Sequence, residues 1–299
     1  MDPSAIVSTP VFYGKRPWPD GLSAQQDWNY RESMIYYIAK NPSSAKVYQK
    51  MIQSCKYFFE KNPVLVASEL KACNDNVNSL ICSNKTDECK KNKGKCCVKI
   101  DVAKLSSKIW LRDELDIAYG AKNYTSLLSS KLYRCEIYRL EICNKVIMFD
   151  DLQLLSSSAK EIILQKNSII YNCGKVVMLD KIIESSSNGT EFIFGFDNDS
   201  TVNVSTMKNI MQLKNRKKLK LFGLVSFPES LSIEDISAFF KEYKHAKVAF
   251  LFNVNISEEY KNQLDSLIDE IIESESTNRI IIYRGLDEEK YKYMKSRLV

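Results

Sequence analysis

The sequence predicts an α/β protein, with a short helical module near the N-terminus followed by βα repeats on a mostly parallel sheet. Three observations carry that prediction. Apolar residues from Val47 to Phe59 recur at the spacing of one helix face. Runs rich in β-branched and aromatic residues centre on Ile163, Ile193, Leu221, Phe250 and Ile281, at intervals of 30, 28, 29 and 31 residues. Helical patterns fill the gaps between those runs, so strand and helix alternate at a near-constant period. Such alternation implies parallel strands joined by crossover helices, and a fixed period of this length marks a stacked-repeat architecture.

Composition sets the outer bounds. The chain has 299 residues, 44% hydrophobic and 27% charged, as expected of one large or two ordinary soluble domains. A chain this long can bury about 75% of its unfolded surface, so it needs no metal or disulfide to hold a core. No apolar run approaches the roughly 18 residues of a membrane span. The opening MDPSAIVSTPVFYGKRPWPDG lacks the basic start and apolar stretch of a secretory signal. The expectation is an intracellular protein, cytoplasmic and/or nuclear, with no membrane partner.

Taken in order, residues 1–30 contain Pro3, Pro10, Pro17 and Pro19 and read as an extended segment. Residues 31–70 form the helical module. Its first helix offers Met34, Ile35, Tyr37 and Ile38; its second offers Val47, Met51, Ile52, Cys55, Phe58 and Phe59. Ser43 is placed to cap the second helix and Pro63 to stop it. Helices this short must bury their apolar faces against each other, the remaining chain or a partner. Residues 71–100 turn to Asn, Lys, Cys and Ser and read as a Cys/Lys-rich connecting loop, with a ragged hairpin as the option.

Residues 101–299 hold the repeats. Two further strands are expected near Leu115-Asp116-Ile117 and Tyr138, ahead of the five regularly spaced ones. Helices are expected over 176–183, 205–214, 232–243, 257–273 and 287–298, with Ser232 and Asp235 placed as a capping pair. An open arc or a doubly wound sheet would satisfy this alternation. The lack of any Gly-rich strand-to-helix turn favours the arc, and Asn167, Asn198 and Asn253 follow three strands in a degraded leucine-rich-repeat line. The predicted domain is therefore irregular and leucine-rich-repeat-like, and its curved sheet would present side chains to a partner.

Catalysis finds little support. There is one histidine, His245, in a turn before a strand. The phosphate-cradling and nucleophile-elbow glycine motifs are absent. Asp265, Asp269, Glu270 and Glu273 lie on the polar face of an amphipathic helix, and Asp150-Asp151 sit where acids complement a helix start. No catalytic residue, cofactor or metal is assigned. Six N-x-[ST] sequons, at Asn84, Asn123, Asn188, Asn198, Asn203 and Asn255, read as chance products of an Asn/Ser-rich composition.

Of the nine cysteines, Cys55, Cys135, Cys143 and Cys173 lie among apolar residues and read as small buried hydrophobes. Cys73, Cys82, Cys89, Cys96 and Cys97 cluster without the C-x-x-C knuckles usual in zinc sites. They read as free thiols in a polar loop, with a metal or disulfide cluster as the alternative. The net charge of +6 is modest, and the basic runs at 90–95 and 216–220 lack interleaved aromatics, which disfavours nucleic acid as a partner.

One resemblance goes further. Trp18-Pro19, an isoleucine-rich short helix, a polar turn and a second helix closing on Ser54-Cys55-Lys56-Tyr57-Phe58-Phe59 resemble an F-box. That module's pattern is Leu-Pro, two helices and a late Cys-Arg/Lys-x-aromatic. Arg16-Pro17-Trp18-Pro19, Ser33-Met34-Ile35-Tyr36-Tyr37-Ile38 and Lys46-Val47-Tyr48-Gln49-Lys50 resemble, more closely, a large nematode-expanded family of F-box-containing proteins. Lys108-Ile109-Trp110-Leu111, Phe149-Asp150-Asp151 and Tyr283-Arg284-Gly285 match that family in style. The resemblance implies a non-catalytic subunit of a cullin-RING ubiquitin ligase. Its N-terminal helices would enter a groove on a Skp-type adaptor of the cullin complex, and its repeats would hold a protein substrate. Candidate adaptor contacts are Pro19, Met34, Ile35, Ile38, Val47, Tyr48, Met51 and Ile52, some of which must serve as internal core. The insertion of residues 21–29 after Pro19 motivates the alternative, a repeat-type interaction module whose degenerate F-box joins no ligase.

Overall fold

The computed structural model describes residues 27–72, 78–197, 201–213, 218–274 and 276–298. Pro19, Cys73 and Asn198, and most of residues 1–30, lie outside the described residues. Three helices come first, α1 (Glu32–Lys40), α2 (Ala45–Ser54) and α3 (Lys56–Lys61). The expected second helix is thus two. Cys55 takes an extended conformation (φ −154°, ψ 130°) and breaks it, which turns Phe58 back toward Ile35 and Ala39 of α1. The N-cap of α2 is Ser44, whose Oγ accepts from the Val47 N–H at 3.2 Å, and not Ser43.

The chain then enters a mixed sheet through β1 (Val64–Ala72). Residues 71–100, expected as a connecting loop, instead build the antiparallel strands β2 (Asn78–Cys82) and β3 (Cys97–Asp101), with α4 (Thr86–Lys91) between them. The ragged hairpin weighed as the option is what forms.

The parallel part consists of β4 (Lys108–Ile117), β6 (Arg139–Cys143), β8 (Glu161–Gln165), β10 (Glu191–Gly195), β11 (Leu221–Phe227), β12 (Lys247–Phe252) and β13 (Arg279–Ile282). Each lies beside the one before it, while β1 pairs with the other side of β4. A short β5 (Leu132–Cys135) also pairs with β4, completing eleven strands, and β7 (Val146–Met148) and β9 (Ser168–Ile170) form a separate two-stranded sheet. The five centres expected from spacing all fall within strands.

Crossover helices are α5 (Tyr124–Lys131), α6 (Phe149–Ser156), α7 (Leu179–Ser185), α8 (Thr206–Gln212), α9 (Ile233–Glu242) and α10 (Glu258–Glu273); α11 (Glu288–Ser296) follows β13. Ser232 caps α9 by accepting from the Asp235 N–H at 3.2 Å, as the capping pair predicts. A parallel sheet that always advances the same way, through crossovers of one hand, receives all its helices on one face. The strand order does reverse at β1, running β3-β2-β1-β4, but β2 and β3 are antiparallel, so the sheet lacks the parallel second half of a doubly wound fold and advances one way from β4 onward.

Burial follows from that order. Phe192, Phe194, Phe222, Leu224, Phe250 and Ile281 point to the helices and are buried. Rings pack across adjacent strands, with centroids 6.0 Å apart for Phe192–Phe222 and 5.1 Å for Phe227–Phe252. Each fully buried side chain of this size is worth about 1.5–3 kcal/mol of transfer free energy. Asn167 is buried at a turn, where it accepts from the Lys145 N–H at 2.9 Å and donates to the Ile142 carbonyl at 2.7 Å, tying the turn after β8 to the end of β6. Among the described residues no helix is long and apolar enough to cross a membrane.

Candidate partner-binding surfaces

Helix α1 carries two apolar stripes. Ile35 and Ala39, four residues apart, face inward onto Phe58, Met51 and Ile52, with Trp28 packing edge-on to Phe58 at 5.7 Å. The second stripe is Met34, Tyr37 and Ile38, also at helical spacing, and these are 50%, 68% and 44% exposed. Tyr30, one turn earlier, and Val47 on α2 are exposed too. A surface helix normally shows polar residues on its outward face, and among the described residues nothing covers this apolar stripe.

Tyr48 has a different task. It is buried, donates from its hydroxyl to the Asn62 carbonyl at 2.6 Å and accepts from the Val64 N–H at 3.0 Å. Burial pushes its pKa up to about 12. Its ring packs on Trp110 of β4, 6.4 Å away, together with Val64 and Val66. Asn62 adds a bond to the Ala39 carbonyl at 3.1 Å and the Tyr133 hydroxyl one to the Lys40 carbonyl at 2.7 Å. Ile109 and Leu111, flanking Trp110, face the helix-covered core. Trp110 therefore points to the opposite side, and α1–α3 rest on the sheet face that α5–α11 leave uncovered.

That uncovered face has a definite chemistry. Strand register brings Glu114, Arg139, Glu161 and Glu191 into one row, and Asp116, Glu141, Ile163 and Ile193 into the next. Arg139 sits among the carboxylates, 2.9 Å from Glu141 and 4.0 Å from Glu114, and bonded to Glu161. Toward the C-terminus the face becomes apolar through Val225, Leu251 and Ile282. Partial burial, with neighbouring acids, raises the pKa of both Asp116 and Glu161.

A raised folded-state value means that ionising the group opposes folding. The penalty is absent below the unfolded value of about 4 and complete above the raised one. Asp116→Asn, which can still accept the Ala118 N–H bond, should raise the melting temperature at neutral pH and leave it unchanged in acid below that range. Melts at the two pH values check this.

A third feature lies at the far end of the sheet. The Sγ atoms of Cys82, Cys89, Cys96 and Cys97 all lie within 4.8 Å of one another, with Cys82–Cys96 and Cys89–Cys97 each at 3.1 Å. Burial pushes up the Cys82 and Cys97 thiols, the latter to about 12, whereas hydrogen bonding from Cys97 lowers Cys89. These four are free thiols, as expected, but the polar loop expected to hold them is corrected here to a pair of strands and a helix that gather them at one point. Pairing of β2 with β3 makes Cys82 and Cys97 cross-strand partners, and α4 folds Cys89 back onto them.

No protein-family model matches this chain, and no curated protein matches it. The F-box resemblance therefore rests on the residues themselves.

Of the eight candidate adaptor contacts, Met34, Ile38 and Val47 are exposed, Met51 and Ile52 are half-buried, and Pro19 lies outside the described residues. Ile35 and Tyr48 are core and cannot touch a partner in this conformation. Sequence reasoning finds neither Tyr37 as a surface residue nor the carboxylate rows. It does not show which of two stripes on α1 is covered; for the acids, their alternate strand positions, Glu114-x-Asp116 and Arg139-x-Glu141, are the available signal. His245 is exposed, as a loop histidine should be. Cys173 is exposed, and Cys55, Cys135 and Cys143 are only half-buried, not the buried hydrophobes expected.

Proposed function

We propose that this chain is an F-box-type substrate-recognition adaptor of a cullin-RING ubiquitin ligase. Its leucine-rich-repeat-like arc would hold the protein target. The single observation that carries this reading is the uncovered stripe of Met34, Tyr37 and Ile38, on a helix whose other stripe is already packed. A groove on the Skp-type adaptor would cover it, as helix-in-groove recognition requires. The sheet's open face supports the second half of the proposal. Its acidic rows suit a basic segment of the target, and the apolar end beside them suits an aliphatic or aromatic anchor. The chain performs no chemistry in this scheme; ubiquitin transfer belongs to other subunits.

The test is binding of the purified chain to a Skp-type adaptor. Met34→Asp/Ile38→Asp should weaken it about 100-fold, because two exposed apolar anchors become charged in a desolvated groove. The same variant should melt with the wild type, since both positions already face water. Ile35→Asp is no substitute, because its side chain is core. Unchanged binding by the double variant would sink the proposal. A wild type that ignores the adaptor at micromolar concentration would favour the repeat-type interaction module with a degenerate F-box.

A further inference from the structure

We propose that Cys82, Cys89, Cys96 and Cys97 form a mononuclear tetrathiolate zinc site that staples the β2–β3 end of the sheet. Zinc binds thiolates at about 2.3 Å in a tetrahedron, which sets the sulfur–sulfur edge at about 3.8 Å. The observed separations, 3.1 Å for two pairs and no more than 4.8 Å for any, bracket that edge. Two disulfides would satisfy each sulfur with one partner at about 2.05 Å, and nothing would then draw the pairs together. An iron–sulfur cubane would place each thiolate on a different iron and spread the sulfurs farther apart.

The spacing is unusual, and the fold accounts for it. Cys82 ends β2 and Cys97 begins β3, so antiparallel pairing brings those two together without a short knuckle. The turn after α4 passes through Lys93 and Gly94 at positive φ, with the Gly94 N–H donating to the Cys89 carbonyl at 3.0 Å. That tight reversal returns the chain to place Cys96 beside Cys82. No disulfide-type oxidant is required: four S–H protons leave to solvent, four Zn–S bonds form and nothing changes oxidation state.

Two further observations fit a metal here. The site would carry a net charge of −2, and exposed Lys90, Lys91, Lys93 and Lys95 lie between Cys89 and Cys96 in sequence. This gives the basic run a role that nucleic acid did not. The edge strand β3 also has no fully buried side chain, and its Val98 and Ile100 reach the core beside Ile81 only in part. An edge strand held so lightly is where a staple adds most.

The experiment measures metal in the full-length chain purified without added chelator, followed by exchange of zinc for cobalt. The expected result is one zinc per chain and a cobalt form with thiolate charge-transfer bands and the intense visible bands of tetrahedral coordination. Cys89→Ser and Cys96→Ser should lose that spectrum, and Cys173→Ser should keep it. Metal removal should raise hydrogen exchange across residues 78–101. Should the serine variants fail to fold, the wild-type cobalt spectrum and protection of its four thiols from alkylation decide the matter. Four freely alkylated thiols after incubation with zinc under reducing conditions would overturn the proposal, as would two disulfides in the intact mass or iron as the only bound metal.

Discussion

Trp110→Ala should cost about 4 kcal/mol, the range for emptying a fully buried aromatic site. Trp110 is the joint between the helical module and the sheet. Its ring packs on Tyr48 and, at 5.5 Å, on Tyr133, and the Arg134 guanidinium lies over it at 4.6 Å. Its Nε1–H donates to Glu136 at 2.8 Å. The loss should not spread evenly. Core on the far side of the sheet remains packed, so residues 31–62 should exchange amide hydrogens faster than β10–β13 do, as separate cooperative units allow. Trp110→Phe keeps most of the ring contact and loses the indole bond, so it should cost about 1 kcal/mol. Denaturant titration with hydrogen-exchange mass spectrometry checks both. Uniform loosening across the sheet would show that the module and sheet form one unit.

Arg279→Ala should cost about 3 kcal/mol, for another reason. Arg279 is buried on the helix side of the edge strand β13, and among the described residues no carboxylate pairs with it. Its guanidinium donates instead to the carbonyls of Phe240 at 3.0 Å, Tyr243 at 2.7 Å, Ala246 at 2.6 Å and Asn278 at 3.0 Å. The first two lie where α9 ends, at carbonyls left without intrahelical partners and at the negative end of the helix dipole. Burial lowers the guanidinium's pKa, but an arginine stays charged throughout the accessible pH range. Arg279→Lys keeps the charge and loses the fork, so it should recover only part of the stability. Complete recovery in urea melts would show that charge alone serves.

The parallel strands from β8 onward are legible because their signal is local: strand runs at 28–31-residue intervals survive in the sequence whatever the neighbours do. The helices between them are legible for the same reason, down to Ser232 as a cap. What escapes depends on pairing between distant segments. Cys82 and Cys97 become neighbours only once β2 meets β3. Only the contact of Phe58 with α1 decides that Ile35, and not Ile38, is covered. The break at Cys55 also has no strong local signal, since neither Gly nor Pro marks it.

The strand order has a consequence for length. Every unit from β4 onward meets only its predecessor and its successor, so the geometry of the stack contains no natural last member. At one margin the parallel run gives way to the antiparallel β2 and β3, and at the other the inward cation of β13 ties its strand back to the end of α9, so each margin is held by a contact the interior strands do not make.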